Sequence, residues 1–332
     1  MNSILHIAPF FEGSTSERRT KVFENLGFHV ERIDLDPFVK FWQKGLISVA
    51  RKTPYSYFQY SLNKFVREKC RFKQFDYILC EKPKFFTTKT LKLLSSCTDK
   101  LVHFSPDDYY NPSNQGWFES GRLALYDVII TNKLHNVLPL SKQYGESKVR
   151  HMLSGGPELQ RSLSSKSAKY QISFIGQYEE ARYNTLMELS RRVDAQIHVF
   201  GPDWNSKGSS EYIIFHESVW GPSFSKTIRC SNVNLCFLRK ANSDTSTTRT
   251  FEIVGNGGLL LAERTDEHRS LFEEDQEALF FDNIDELTHK VNYCLNEANS
   301  REIIKIKHSG TRRYVASGYS DLNVWGEFFD IS

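Results

Sequence analysis

Short apolar runs alternating with stretches of helical periodicity set the pattern of this chain. Residues 3–8 (SILHIA) are apolar at most positions and end at a Pro- and Gly-containing loop, which predicts a buried first strand. From about Ser16, Val22 and Leu26 fall four apart on one helical face, and Gly27 supplies the stop. FHVERID (28–34) then reads as a second strand. A strand, a loop, a helix and a strand within some thirty residues make a βαβ unit, which predicts a parallel sheet. YILC (77–80), KLVHF (100–104) and DVIITN (127–132) continue it. Runs that are apolar on both faces suit strands covered by helices on each side.

Between Ser154 and Lys169 the character changes to GGP followed by SLSSKSAK, polar and turn-rich, which predicts a linker over 154–169. The alternation then resumes: ISFIG (172–176), a helix through about Arg192, AQIHVFG (195–201), EYIIFH (211–216), VNLCFLR (233–239) and GLLLAE (258–263). The stretch from about Asp285 to the end reads as helical. The expected fold is therefore α/β, with two Rossmann-like domains facing each other across a cleft. A first domain covers 1–153, a second covers 170–310, and a helical segment 311–332 packs back on the first. Ligands of such sheets bind at the carboxyl ends of the strands. This frame serves glycosyltransferases, sugar-nucleotide epimerases and two-lobed binding proteins, and the fold alone does not choose.

Composition narrows the class. With 39% apolar and 25% charged residues the chain is globular rather than disordered. Its six cysteines (Cys70, Cys80, Cys97, Cys230, Cys236, Cys294) form no CxxC pair, so neither a zinc site nor a disulfide framework is expected, and they read as small core groups. The first residues carry no basic leader, and no stretch approaches the roughly 20 apolar residues of a membrane span, so a cytoplasmic location is expected. Charge changes the picture more. The net charge is +3, yet Lys40–Lys73 holds nine basic residues and one acid, leaving the remainder at −5. Ten aromatic residues lie between Phe38 and Phe75. That mixture fits a core with lysines over its outer face, or peripheral contact with an anionic membrane at its inner face. Stacking on single-stranded nucleic acid is the least favoured of the three, and no nucleic-acid partner is expected.

The most informative segment is DTSTTRTFEIVGNGGLLLAE, residues 244–263. A helix starting near Thr247 and Thr248 offers free backbone N–H groups and hydroxyls to a phosphate. Arg249 forks onto phosphate oxygens, and Glu252, one turn on, accepts both hydroxyls of a ribose. Gly257 and Gly258 lead into an apolar strand. The bland alternative is an amphipathic helix whose Arg249 and Glu252 pair on the surface. Arg239 and Lys240, just after a strand end, are candidates for the same anionic pocket.

TTRTFEIVGNGGLLLAE resembles the signature of the spore-maturation (CgeB-like) glycosyltransferases, a GT-B group related to the retaining bacterial group 1 enzymes. Those relatives carry two carboxylates separated by seven residues. Glu252 matches the second, which implies ribose binding. Asp244 stands where the first, usually Glu, contacts the donor sugar. LFEEDQEALFFDNIDELTHKV and ISFIGQYEEAR are similar to further family stretches, and Gly176 and Arg182 match a glycine and a basic residue near the donor phosphates. HVFGPDW adds Gly201 and Trp204. VHFSPDDYYNPSN and DVIITNK are similar to the family's N-terminal domain. Retention of configuration is implied only by the more distant relatives.

In the first domain, Asp107 and Asp108 follow a predicted strand and are candidates to orient or deprotonate the acceptor, with turn chemistry as the alternative. Gly13 and Ser14, in the loop after the first strand, are candidate acceptor contacts, with a plain tight turn as the alternative. His151 and Gly155-Gly156-Pro157 lie at the expected hinge. The sum is a metal-independent glycosyltransferase, Asp108, Asp107 and Asp244 being its catalytic candidates. It takes no cofactor beyond a nucleotide-diphosphate sugar, a UDP-sugar being favoured, and its acceptor is a cell-surface glycan, a lipid-linked glycan or a protein. The rivals are a non-catalytic sugar or nucleotide-sugar binder and a nucleotide-sugar epimerase.

Overall fold

The structure is a computed structural model that describes residues 2–38, 57–111, 114, 119–159, 168–204 and 211–331. The chain forms two compact units. The first comprises Met1–Leu153 together with Ala241–Ser243 and Trp325–Ser332, and the second Ser154–Lys240 together with Asp244–Val324. Residues 39–56 of the basic aromatic segment and 160–167 of the expected linker lie outside the described residues.

The first unit is a six-stranded, wholly parallel sheet in the order β2-β1-β3-β4-β5-β6. Its strands are β1 (Ser3–Ala8), β2 (His29–Asp34), β3 (Phe75–Glu81), β4 (Thr98–Ser105), β5 (Val128–Thr131) and β6 (Val149–His151). Helices α1 (Thr15–Asn25), α2 (Tyr57–Cys70), α3 (Thr88–Ser96), α4 (Glu119–Arg122) and α5 (Leu134–Tyr144) connect them. Each helix starts where a side chain or the chain direction allows it: Ser14 caps α1 by accepting from Glu17 N–H at 3.2 Å, and Thr87 caps α3. In α2, Leu62 and Val66 are buried four apart and Phe58 and Phe65 pack against the core, which is the core-facing stripe of the basic segment. Tyr60 and Phe72, 59% and 92% exposed, lie outside that stripe.

The second unit repeats the plan with sheet order β12-β11-β10-β7-β8-β9, again wholly parallel. Its strands are β7 (Tyr170–Ile175), β8 (Ile197–Phe200), β9 (Ile213–His216), β10 (Ser231–Cys236), β11 (Leu260–Glu263) and β12 (Leu279–Phe281). The helices are α6 (Glu180–Ser190), α7 (Gly221–Arg229), α8 (Thr248–Gly255), α9 (Asp266–Leu271), α10 (Ile284–Leu295) and α11 (Ser300–Ala316), and α12 (Asp321–Phe328) starts in this unit and belongs to the first from Trp325 onwards. The core joins Ile172, Phe174, Ile197, Val233, Leu235 and Leu261 from the strands with Leu186, Leu287 and Val291 from helices.

Two readings of local chemistry need correcting. Gly155 and Gly156 are not explained by hinge flexibility. A Cβ on Gly155 would lie 2.5 Å from Asp321, and one on Gly156 would lie 2.6 Å from the Tyr314 hydroxyl and 2.8 Å from the Phe251 carbonyl. Both glycines are required by close backbone approach, and Gly156 exchanges backbone hydrogen bonds with Tyr319 and Asp321. The short strands β6 and β12 were also not expected, because three residues carry too little alternation to be seen. All six cysteines are buried and free. Among the described residues no helix is long and apolar enough to cross a membrane.

Candidate functional site

The parallel order of the second sheet brings the exits of β7, β8 and β10 to one edge. Gly176 follows β7, and its N–H donates to the Phe200 carbonyl at 2.9 Å. Gly201 follows β8 with φ of 151°, and a Cβ there would fall 2.0 Å from the Gly176 carbonyl. Only glycine fits a backbone that passes so close to another. Trp204 fixes the pair from below: fully buried, its indole N–H donates to the same Gly176 carbonyl at 2.8 Å.

Beyond Gly176 the chain turns into α6, and its first turn carries Arg182. One Arg182 nitrogen donates to the Gln177 carbonyl at 3.1 Å and another reaches the Phe237 carbonyl at 3.5 Å, which ties the β7 exit to the β10 exit. Its buried Nε has no hydrogen-bond partner among the described residues. Arg239 projects from the β10 exit and lies 2.9 Å from the Glu179 carboxylate, which also faces Arg182 at 3.7 Å. Two guanidinium groups therefore share one carboxylate. Lys240 is exposed beside them. Glu179 was missed by sequence reading. Its only signal was an acid directly ahead of a helix start, a pattern too common to single out.

Asp244 closes the β10 exit loop by accepting from Arg239 N–H at 3.2 Å, while its own N–H donates to the Arg239 carbonyl at 3.3 Å. Thr247 is the N-cap residue of α8, and Thr248 is its first residue. The Thr247 N–H is satisfied by the Thr250 hydroxyl at 3.3 Å. Thr250 Oγ1 also meets His268 Nε2 at 2.9 Å, and His268 Nδ1 meets the Glu263 carbonyl at 2.7 Å. His268 is fully buried and stacked on Phe280. Burial lowers its pKa, so the ring is a neutral donor and acceptor that fixes this helix start. Thr245 and Ser246 both donate to Glu267, which anchors the approach to the helix.

Arg249 and Glu252 are spent on each other, Nη1 to Oε2 at 2.7 Å, and Arg249 lies 4.4 Å over the Phe224 ring. The pairing expected of an ordinary helix is thus present, but Glu252 is 8% exposed, so it is not a surface pair. Gly257 is not brought together with these residues. Its φ of 72° makes the turn at the far end of α8, and an eight-residue helix is about 12 Å long. That turn feeds the amino end of β11, the opposite edge of a parallel sheet from the exits of β7 and β10. The physical need there is a left-handed helix stop with N–H groups returned to Val254 and Ile253, not ligand approach.

In the first unit the carboxyl edge holds the other candidates. Gly13 has φ of 77° and Ser14, 7% exposed, is committed to capping α1. Asp107 pairs with Lys82 at 3.3 Å, and Lys82 itself has φ of 49° at the end of β3. Asp108 turns the other way, as adjacent carboxylates must. It is 7% exposed, and its carboxylate accepts from Tyr110 N–H at 2.9 Å and from the Ser243 hydroxyl at 3.2 Å. Its own N–H donates to Asn242 Oδ1 at 2.8 Å. His135, in the first turn of α5, presents Nε2 at 3.4 Å from Asp108 Oδ1. Sequence reading missed His135, because a lone histidine at a helix start carries no pattern.

Residues 182–320 match a family model described as glycosyl transferase-like. No curated protein matches the chain by sequence. Among solved structures, sucrose-phosphate synthase from Thermosynechococcus elongatus is similar with a TM-score of 0.68 at 12% identity, covering 99% of this chain and 98% of that one. HepE of Anabaena, solved with UDP and glucose, is similar with a TM-score of 0.63 at 11% identity over 99% of each chain. A candidate UDP-N-acetylglucosamine 2-epimerase from Listeria monocytogenes gives 0.56 at 11% identity, over 99% of this chain and 97% of that one. The chain spans 58% of the length of TarM, which it matches over 83% of its own length with a TM-score of 0.61 at 9% identity. At these identities the likeness is one of fold, and the fold is GT-B.

Proposed function

We propose that the chain is a glycosyltransferase, an enzyme that moves a sugar from a nucleotide-diphosphate donor to an acceptor hydroxyl. The observation that carries this is the meeting of Arg182 and Arg239 on Glu179 at the same sheet edge as Gly176 and Gly201. It lies within a unit most of which matches a glycosyl transferase-like model. A diphosphate takes the place of Glu179 against the two guanidiniums, and the α8 start with Thr247 and Thr248 adds N–H groups and hydroxyls. Neutralising the diphosphate in this way also stabilises it as the leaving group. Lys240 and Arg249 add to the same positive field, and Gly257 acts only through the fold of α8. Glu252 holds the ribose after exchanging its Arg249 partner, and Asp244 holds the donor sugar. The first unit takes the acceptor, with Gly13 and Ser14 at its β1 loop and Asp107 and Asp108 beyond β4.

The donor we favour is a UDP-sugar, as in the HepE complex with UDP and glucose. Charge neutralisation by these side chains needs no metal and no further cofactor. The CgeB-like resemblance and a cell-surface glycan as product belong to the same proposal. So does peripheral contact with an anionic membrane: Tyr60, Lys64, Lys69, Arg71, Phe72 and Lys73 are all exposed on α2 and the turn after it. That contact suits a lipid-linked acceptor and a cytoplasmic enzyme held at the inner face.

Thermal unfolding with UDP, GDP, ADP and CDP tests the reading. Ligand at about 100 times its Kd stabilises the native state by about 2.7 kcal/mol. One nucleotide is expected to raise Tm in the wild type, with the rise much reduced in Arg182→Ala and Glu252→Ala. No rise with any of the four, in folded protein, rejects the donor site. The epimerase reading rests on the Listeria neighbour. It requires a nucleotide sugar to be converted to its epimer with no acceptor present, which proton NMR of the incubated donor detects.

A further inference from the structure

We propose that His268 and Glu267, just after β11, are positioning residues for the donor diphosphate. They hold the start of α8 so that the N–H groups of Thr248 and Arg249 stay available to phosphate oxygens. This rests on the glycosyltransferase reading above and names the backbone donors and their supports within the second unit alone.

The hydrogen-bond chain through His268 can run in one direction only. The Glu263 carbonyl can only accept, so His268 Nδ1, 2.7 Å away, carries the ring hydrogen. The ring is fully buried against Phe280, and burial lowers its pKa, so Nε2 is an unprotonated acceptor at neutral pH. The Thr250 hydroxyl therefore donates to Nε2, at 2.9 Å. Its oxygen accepts from Thr247 N–H at 3.3 Å, and Thr250 N–H returns to the Thr247 carbonyl at 3.0 Å. A helix start leaves its first N–H groups without partners in the helix. Here those of Thr247 and Thr250 are spoken for, while those of Thr248 and Arg249 have no acceptor among the described residues.

Glu267 makes the second hold. Ser246 donates to it at 2.8 Å and Thr245 donates to its other oxygen, while Thr265 donates to the Thr245 carbonyl at 2.6 Å. The approach to α8 is thus tied to the residues after β11 at three points. Glu263 joins these supports to the guanidinium side of the site, because its carboxylate accepts from Leu238 N–H at 2.6 Å, one residue before Arg239. Strand register allows this, Cys236 of β10 being paired with Ala262 of β11. Cys236 Sγ also lies 3.8 Å from the hydroxyls of Thr247 and Thr250. The α8 start therefore rests on the end of β10, next to the Phe237 carbonyl that Arg182 reaches.

Donors aimed in advance need no reorganisation as charge builds on the leaving diphosphate. Without the Thr250 hydroxyl, Thr247 N–H and His268 Nε2 both lose their partners, and the first turn of α8 loses its fixed direction. These residues make and break no bond in the reaction; they act on the diphosphate through α8.

The test is isothermal titration with UDP, GDP, ADP and CDP, run well below the Tm of every variant. It compares wild type with Thr250→Val, Thr250→Ser, His268→Leu and Glu267→Ala. Thr250→Val keeps the shape of the side chain and removes the hydroxyl. Its Kd for the nucleotide that binds the wild type is expected to rise about tenfold, the worth of one hydrogen bond to a charged group. His268→Leu and Glu267→Ala are expected to weaken binding in the same direction, and Thr250→Ser, which keeps the hydroxyl, to restore it. Glu267 is only half-buried, so its variant keeps the core intact should His268→Leu fail to fold. A purely structural role lowers Tm and leaves Kd alone. Folded Thr250→Val and Glu267→Ala with wild-type Kd, or Thr250→Ser as weak as Thr250→Val, overturn the positioning role and leave the donor site standing. A wild type that binds none of the four overturns the transferase reading beneath it.

Discussion

At the scale of single residues, the first unit contains a buried charge cluster whose behaviour follows from its geometry. Glu81, 2% exposed at the end of β3, meets Arg19 Nη1 at 2.5 Å and His6 Nε2 at 3.3 Å. Burial pushes the Glu81 carboxyl up, but the Arg19 guanidinium and the His6 hydrogen bond outweigh it and bring the pKa down to about 2. A carboxylate depressed on folding stabilises the native state above its unfolded value of roughly 4.3. That contribution is lost as pH falls from there through about 2. Glu81→Gln keeps the shape and leaves Arg19 without a counter-ion, which costs about 3–5 kcal/mol. Urea midpoints measured between pH 7 and pH 2 are expected to drop steeply for the wild type in that acid window. The variant, weaker throughout, should be flatter there, and equal slopes would contradict the account.

At the scale of elements, the α8–α11 pair shows a conflict that magnitudes resolve. Gly310 sits inside α11, where alanine is favoured over glycine by about 1 kcal/mol. A Cβ there would stand 2.2 Å from the Glu277 carbonyl, which is backbone and cannot swing aside. Overpacking costs about 1–3 kcal/mol, so Gly310→Ala is expected to lower Tm rather than raise it, and differential scanning calorimetry reads the sign. Gly255 plays the matching part on α8, where a Cβ would meet the Tyr314 ring at 2.7 Å.

Elements of this kind also explain what the sequence could reveal. Strand β1 was legible because six successive positions carry its apolar run, and α8 because a threonine-rich start and a glycine stop frame it. Strands β6 and β12 were not, having three residues each. Gly176 and Arg182 were singled out through the family resemblance, and Arg239 through its place just after a strand end. Glu179 and His135 were not, because single polar residues at helix starts look like solvated surface until the fold brings partners to them. Gly155 and Gly156 misled for a related reason, since composition reads the same for a hinge and for a tight backbone contact.

At the scale of the whole molecule, the chain does not finish the first unit with the first 153 residues. Trp325, 1% exposed, packs edge-on against Phe23 at 5.1 Å and Phe104 at 5.6 Å, and lies 5.4 Å from the Arg19 guanidinium. Phe329 adds contacts to Phe28 at 4.6 Å and Tyr77 at 4.9 Å. Aromatic truncation in a core costs about 3–5 kcal/mol. Trp325→Ala is therefore expected to strip hydrogen-exchange protection from β1, β3 and β4 while leaving β7, β10 and β11 protected. Equal loss in both sheets would mean that the side chain does not belong to the first unit alone.

That last packing has a consequence for how the protein is made. A ribosome delivers β1 to β6 early, but the aromatic layer that packs on α1 and β4 is encoded in Trp325–Phe329, beyond every strand of the second unit. The second unit has all of its strands available before that point, so it closes first although it is translated second. Until residues 325–329 emerge, the earlier half waits with Phe23, Phe28 and Phe104 short of these aromatic partners. A chain interrupted just before Trp325 would leave the oldest part of the polypeptide, not the newest, as the substrate for chaperones and proteases.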